Sequence, residues 1–296
     1  MKDKITLNKD NCKILICCHK PCELPPDPDG LFLPVQVGAA ISDVDLGMQR
    51  DDQVNGEPCD NISAKNKSYC ELTALYWAWK NIKKIYPNLE YIGLNHYRRY
   101  FSTKKLFSKF RFFKFSVFSF VKLICGKTVS LVFIPSKNIS SKEIQKCNID
   151  LKIFLEDKIS KGKDVFSTEF VRLVCNDTEN FFCIVGKNNI DFLETIIKKT
   201  EPKYFYHFQT LLRSKKFCYA NMFVMSYENF NEYCRFMFSV LENFEKESAK
   251  QNFYKDILDE KCAYRLLGYL GELLTNTLMM SLPINKKEKL GVMFIK

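Results

Sequence analysis

Apolar and polar positions alternate along this chain in two periods, and the longest uninterrupted signal is helical. Leu72, Leu75, Tyr76 and Trp79 stand at i, i+3, i+4 and i+7, so the spacing predicts a helix with one face on a core, with Ala74 and Ala78 allowing close packing beside it. Ser68 followed three residues later by Glu71 reads as a capping box, in which hydroxyl and carboxylate each satisfy a backbone N–H at the helix start. That places the start near Tyr69, and Pro87 disfavours helical geometry at Tyr86, so the helix ends at about that point. Phe230, Tyr233, Cys234, Met237, Val240, Leu241 and Phe244 keep helical spacing after Tyr227, and a last helix is predicted near Asp256 to Met280. Shorter helices are predicted at Ile144–Ile159, Ile190–Lys199 and Tyr204–Leu212. Short apolar runs predict strands at Lys13–Cys18, Tyr91–Leu94, Val129–Pro135, Phe181–Val185 and Phe217–Ser226, with a further extended segment in LFLPVQVGAAIS. Gly47–Asp60 is polar and reads as a mobile loop. Strands and helices alternate through the first hundred residues, which predicts an α/β sheet with helices packed over it and a helical C-terminal part.

Length and composition narrow this little: 296 residues, 46% hydrophobic and 27% charged, belong to an ordinary globular chain. They fit a single domain over 1–296 with a helical region at about 227–281. Charge changes the picture more. The net charge is +11, and the stretch from Tyr91 to Lys142 holds eleven Lys or Arg and no Asp or Glu, so the rest of the chain is formally neutral. Within it, an insert at about 101–127 interleaves phenylalanines with Lys104, Lys105, Lys109, Arg111, Lys114 and Lys122. Its composition suits an anionic membrane surface. The bland alternative is a basic amphipathic helix covering the domain. Nucleic acid is not an expected partner, because no nucleic-acid motif accompanies the basic residues. The thirteen cysteines lack zinc spacing and read as buried, reduced thiols, which points to the cytoplasm. The first residues lack a signal-peptide core, so the N-x-S matches at Asn61 and Asn66 are not expected to carry glycans.

Candidate chemistry collects at strand ends. The first strand empties into His19 and Lys20, and Tyr91–Leu94 runs into Asn95, His96, Tyr97, Arg98 and Arg99. Ligands of open α/β sheets gather at the carboxyl ends of strands, and guanidinium and ammonium groups there suit a diphosphate. Neither a Walker loop nor G-x-G-x-x-G is present, so ordinary ATP and dinucleotide sites are unsupported. Asn221 inside an apolar run is either a core amide or a ligand contact. Arg265 and Glu272, seven residues apart on nearly one helical face, are either a structural ion pair or a source of a pocket carboxylate.

DNISAKNKSYCELTALYWAWKN, YIGLNHYRRYF, NMFVM and RLLGYLGE, with ICCHKP and LPVQVGAA before them, resemble in this order a bacterial family of uncharacterised-domain glycosyltransferases from capsule, exopolysaccharide and lipopolysaccharide gene clusters. The resemblance covers most of residues 12–101 and 217–274. It implies a GT-A-like, Rossmann-like sheet and transfer of a sugar from a nucleotide-sugar donor to a lipid-linked or oligosaccharide acceptor, at the cytoplasmic face of the inner membrane. Arg98, Arg99 and Lys65 are then expected on phosphates, with His19, Lys20, Asn61, Asn66, Tyr69 and Asn221 lining the donor pocket. Glu272 and Asp60 are candidates for the carboxylate that activates the acceptor hydroxyl, and His96 is a competing base. Such enzymes commonly carry an Asp-x-Asp metal motif at a central strand end, where this chain carries HYRR. Metal-independent transfer is therefore expected, with Asp60 or Glu71 the candidates should Mn or Mg be held. A rival class is a non-catalytic membrane- or polyanion-binding module built on the basic aromatic insert.

Overall fold

The computed structural model describes residues 5–103, 141–168, 171–172, 185–214, 216–249 and 264–294. The expected strand at Val129–Pro135, nearly all of Phe181–Val185 and the basic aromatic insert beyond residue 103 lie outside these, as does the expected start of the last helix.

The sheet grows from its most apolar run. Strand β1, Cys12–Cys18, is buried along its whole length, as a parallel strand covered on both faces must be. It pairs in parallel with β2, Phe32–Gln36, on one side and with β6, Tyr91–His96, on the other. A two-residue strand β3, Gln49–Arg50, extends the edge in parallel with β2. The carboxyl ends of all four therefore share one rim. Gln53–Val54 and Glu57–Pro58 form a small hairpin, β4–β5, around Asn55 and Gly56, both at positive φ. That Asn-Gly pair is a strong hairpin signal, so the expected mobile loop at 47–60 is partly ordered structure.

Beyond β6 the sheet closes on itself. Strand β11, Phe223–Ser226, lies antiparallel against Tyr91–Leu94 of β6, while β7, Arg99–Ser102, takes over pairing at His96. β8 (Val165–Thr168) and β12 (Lys287–Phe294) complete the circuit from β11 back to β7. β6 thus changes partner between Leu94 and His96, at the point where the chain delivers its cationic residues. Gly93 is required just before this fork. A Cβ there would meet the Phe223 carbonyl oxygen and Val224 Cγ2 at 2.8 Å. The expected strand Phe217–Ser226 is split: Lys216–Phe217 form β10 on the short strand β9, Val171–Arg172, and Ala220 and Asn221 turn the chain with φ of 71° and 52° before β11 begins. β12 was not expected, since its KEKLGVMF carries charge on an apolar run and follows the predicted last helix.

Seven α-helices cover the described sheet: α1, Asn66–Tyr69; α2, Leu72–Ile85; α3, Ser141–Ser160; α4, Lys187–Thr200; α5, Phe205–Leu212; α6, Tyr227–Ser248; and α7, Leu266–Ser281. α6 buries all seven residues of its predicted stripe, and Ser226 caps its start by accepting from the Asn229 N–H. Trp77, fully buried, donates its indole N–H to the Gln53 carbonyl, and Trp79 stacks at 5.7 Å on Phe238 of α6. Both tryptophans are packing residues. The predicted capping box does not form. Cys70 adopts φ 52° and breaks the helix between α1 and α2, and the Glu71 carboxylate turns away to accept from the Asn221 amide at 2.9 Å. A strained cysteine between the one-turn α1 and α2 is the physical cost of that redirection.

Candidate active site

The rim at the carboxyl ends of β1 and β6 is built around one ring. Tyr97, which follows β6, has the His19 ring edge-on at 5.2 Å, the Lys20 ammonium 5.7 Å from its centroid and the Arg98 guanidinium at 5.3 Å. Aromatic faces attract cations, so one tyrosine gathers groups that would otherwise repel. Arg265 joins them from the start of α7. Partial burial pushes the His19 imidazole below its usual range, and the positive charges of Lys20, Arg265 and Arg98 push the same way. A cation at a helix N-terminus is opposed by the helix dipole, so Arg265 occupies a place that local stability disfavours. Its Nε donates to the Cys70 thiol at 3.4 Å and its guanidinium lies 5.8 Å from the Tyr269 ring.

Behind this rim lies an acidic and hydrogen-bonded floor. The two glycines of RLLGYLGE explain how it is assembled. A Cβ at Gly268 would come within 3.1 Å of the Cys70 sulfur, and one at Gly271 within 2.6 Å of Leu72 Cδ1. Only bare backbone lets α7 lie against the Cys70–Leu72 break. That contact sets Glu272, next after Gly271, beside Glu71. Burial pushes the Glu272 carboxyl up to about 8 and the neighbouring Glu71 charge adds to the rise, while the Ala220 backbone N–H, Arg99 and Arg265 oppose it. The Ala220 carbonyl meets His96 Nε2 at 2.7 Å. Burial lowers the His96 imidazole below its usual range against the opposing pull of the Glu71 carboxylate. Asn221 is 1% exposed and carries the floor inward: its amide donates to Glu71, its carbonyl accepts from Thr275 Oγ1 at 2.5 Å, and Thr275 meets the Tyr233 hydroxyl at 2.9 Å.

The expected donor-binding and base residues therefore divide. His19, Lys20, Arg98, Arg99, His96, Asn221 and Glu272 gather at or just behind the rim. The other five are taken up by the protein itself. Asn61 makes a local turn, donating to the Cys59 carbonyl and accepting from the Ser63 N–H. Lys65 pairs with Glu245 of α6 at 2.6 Å, and the buried Tyr69 donates to the same carboxylate. Asn66 donates to the Cys70 carbonyl and to Thr73 Oγ1, and its side chain fills the space above Gly38. Asp60 is exposed, accepts from the Tyr76 hydroxyl at 3.2 Å and holds Asn81 through its carbonyl. These bonds place Asp60 beside α2, on residues none of which belongs to the floor. The node that organises this part of the rim, Asp51, was not anticipated. Fully buried, it accepts from the N–H groups of Gly38 and Ala39 at 2.9 and 3.0 Å and from the Ser63 hydroxyl. The signal for it was an acidic residue immediately after an unrecognised edge strand.

The strand end after β6 offers imidazole, phenol and guanidinium groups, which do not fit a divalent cation that prefers oxygen ligands. Among the described residues no three His, Cys, Asp or Glu side chains converge as metal ligands do. Two Asp-x-Asp triplets stand elsewhere: Asp27 and Asp29 hold the Phe32 N–H and Lys152, and Asp45 holds the Gly47 N–H.

This arrangement of a cationic rim over a buried carboxylate, on a mixed α/β fold, is carried by a chain that belongs to the DUF4422 family, a domain of unknown function whose pattern matches residues 13–283. Among solved structures the chain is similar to the apo structure of WbbM, a bifunctional glycosyltransferase, at 25% identity and a TM-score of 0.71. The match covers 97% of this chain and 45% of WbbM, so the chain spans less than half of that protein's length. No curated protein matches the chain.

Proposed function

We propose that this chain is a glycosyltransferase of GT-A-like fold that moves a sugar, of hexose type, from a nucleotide-sugar donor to a hydroxyl of a glycan acceptor. The observation that carries the reading is the convergence of His19, Lys20, Arg98 and Arg265 on the rim, with Arg265 and Arg99 also acting on the buried Glu272 carboxyl. The likeness to a bifunctional glycosyltransferase supports it. The donor diphosphate sits against the rim cations. As the bond from the anomeric carbon to the diphosphate breaks, charge accumulates on the leaving oxygen, and fixed guanidinium groups stabilise it without reorganising. The Glu272 carboxylate takes the acceptor's hydroxyl proton while the acceptor oxygen bonds to the anomeric carbon. A base is most effective with a pKa near the working pH, and a Glu272 carboxyl at about 8 meets that condition. His96 is the second candidate, held by the Ala220 carbonyl. Transfer proceeds without Mn or Mg, because the rim supplies cations where an Asp-x-Asp pair would recruit one.

The acceptor is a lipid-linked or oligosaccharide glycan of a surface polysaccharide. The enzyme works at the cytoplasmic face of the inner membrane, with the basic aromatic insert as its contact. No described helix is long and apolar enough to cross a membrane. Thermal-shift measurement against nucleoside diphosphates and nucleotide sugars, followed by mass-spectrometric detection of the transferred sugar, tests the reading. Stabilisation by one nucleotide class and transfer from its sugar are expected. No shift with any nucleotide, together with vesicle binding that is lost when residues 104–122 are deleted, favours the binding-module reading instead.

A further inference from the structure

The floor contains two carboxylates, and the proposed transfer uses only one. Glu71 stands in the break between α1 and α2, and Glu272 follows the glycine at which α7 touches that break. One turn of chain reaches both: the backbone N–H of Ala220 donates to Glu272, and the side chain of its neighbour Asn221 donates to Glu71. Both turn residues have positive φ, a conformation that costs free energy outside glycine and persists where the surroundings impose it. Asn221 is fixed from behind by Thr275, one turn along α7 from Glu272, and Thr275 is fixed by Tyr233 of α6. A hydrogen bond from an amide N–H favours the ionised form of the carboxylate that accepts it, and two carboxylates in one site do not both ionise readily.

We propose that Glu71 and Glu272 act as a coupled carboxylate pair across the Ala220–Asn221 turn, in which Glu71, held by the Asn221–Thr275 chain, is the positioning residue for the base Glu272. The inference rests on the transferase reading for its chemistry, though not for its geometry. The reacting form is the one in which the Glu272 carboxylate is ionised and free to accept a proton. On transfer the acceptor O–H bond breaks, its proton goes to Glu272, its electron pair forms the bond to the anomeric carbon, and the diphosphate leaves with the pair from the broken bond. The charged and titratable groups facing Glu272 are Glu71 and Cys70 from the helix break, Arg99 from β7, Arg265 from the start of α7 and Tyr233 from α6, with His96 of β6 on the carbonyl of the same Ala220. Of these, Glu71 is the negative one that adds to the rise. Arg99 and Arg265 bound the effect from the other side.

The pair can be read without turnover. In protein labelled with ¹³C at glutamate side-chain carboxyls, the resonance lost in Glu272→Gln identifies Glu272, and its titration is followed in wild type, Glu71→Gln and Thr275→Val. Glu71→Gln is expected to lower the Glu272 midpoint by about one pH unit or more, the scale of a close like charge. Thr275→Val, which keeps shape and removes the hydroxyl, shifts it less in the same direction. The acid limb of kcat/KM moves with the midpoint while the donor KM changes less than about twofold. An unchanged midpoint in folded Glu71→Gln overturns the pair, and if that variant does not fold, an unchanged midpoint in Thr275→Val does so. Absence of transfer by wild type with every donor overturns the transferase reading and the base role with it, while the titration still decides whether the carboxylates are coupled.

Discussion

The two ends of the stretch from Asp60 to Phe101 look alike in sequence, each a dense run of polar and aromatic residues, yet they do different work. At the amino end, Asn61, Lys65, Asn66 and Tyr69 are spent on a local turn, an ion pair to α6 and the helix break above Gly38. At the carboxyl end, Tyr97 gathers His19, Lys20 and Arg98 at an open rim. The difference lies in the hydrogen-bond account of each side chain rather than in its type. Buried or anchored polar groups find protein partners. A concentration of like charge at a strand end costs stability, and the proposed donor diphosphate would supply the opposite charge there.

The sharpest break in the comparison is expected at Glu272. Glu272→Gln should lower transfer by about a hundredfold or more, the scale of a lost general base, while leaving nucleotide binding intact; retained activity would move the base role to His96. The same substitution has a separate stability signature. The folded Glu272 carboxyl, raised to about 8 from an ordinary 4.5, holds a proton that the unfolded chain releases between those values. Its contribution is fully present below about pH 4.5 and is lost as pH rises through about 8. The melting temperature of Glu272→Gln relative to wild type should therefore climb from pH 5 to pH 9, and a flat difference would contradict the burial. At the amino end the effects are structural. Asp51→Ala, which strips three donors of their acceptor, should cost about 3 kcal/mol in denaturant unfolding, and Asn66→Ala about 1–2 kcal/mol, each with little change in nucleotide affinity per folded molecule. The smallest expected effect is that of EDTA, which should leave the transfer rate unchanged; loss restored by Mn or Mg would reject a metal-free rim.

The core was the most legible part of the fold. β1, β6 and the stripe of α6 follow from apolar runs and helical spacing, because burial repeats with the period of the element. What periodicity could not convey was the break at Cys70. Ser68 and Glu71 satisfy the capping pattern, but the contact of Gly268 and Gly271 with residues 70–72 decides otherwise, and that contact spans about two hundred residues of chain. The closing strand β12 and the pairing switch of β6 are likewise set by distant partners. Of the site, the cationic strand ends were readable from local sequence alone. The placement of Arg265 among them, and of Glu71 beside Glu272, depended on how α7 lies across the helix break.

The most direct test of the central claim is the affinity of the cognate nucleoside diphosphate, measured calorimetrically for wild type, Arg98→Ala, Arg99→Ala and Lys65→Ala. Each arginine substitution should weaken binding about tenfold or more, as loss of a charge-assisted contact does, and Lys65→Ala, whose ammonium serves Glu245, should change it less than about twofold. Equal affinity in the arginine variants with a large loss in Lys65→Ala would put the donor at the other end of the stretch and contradict the rim.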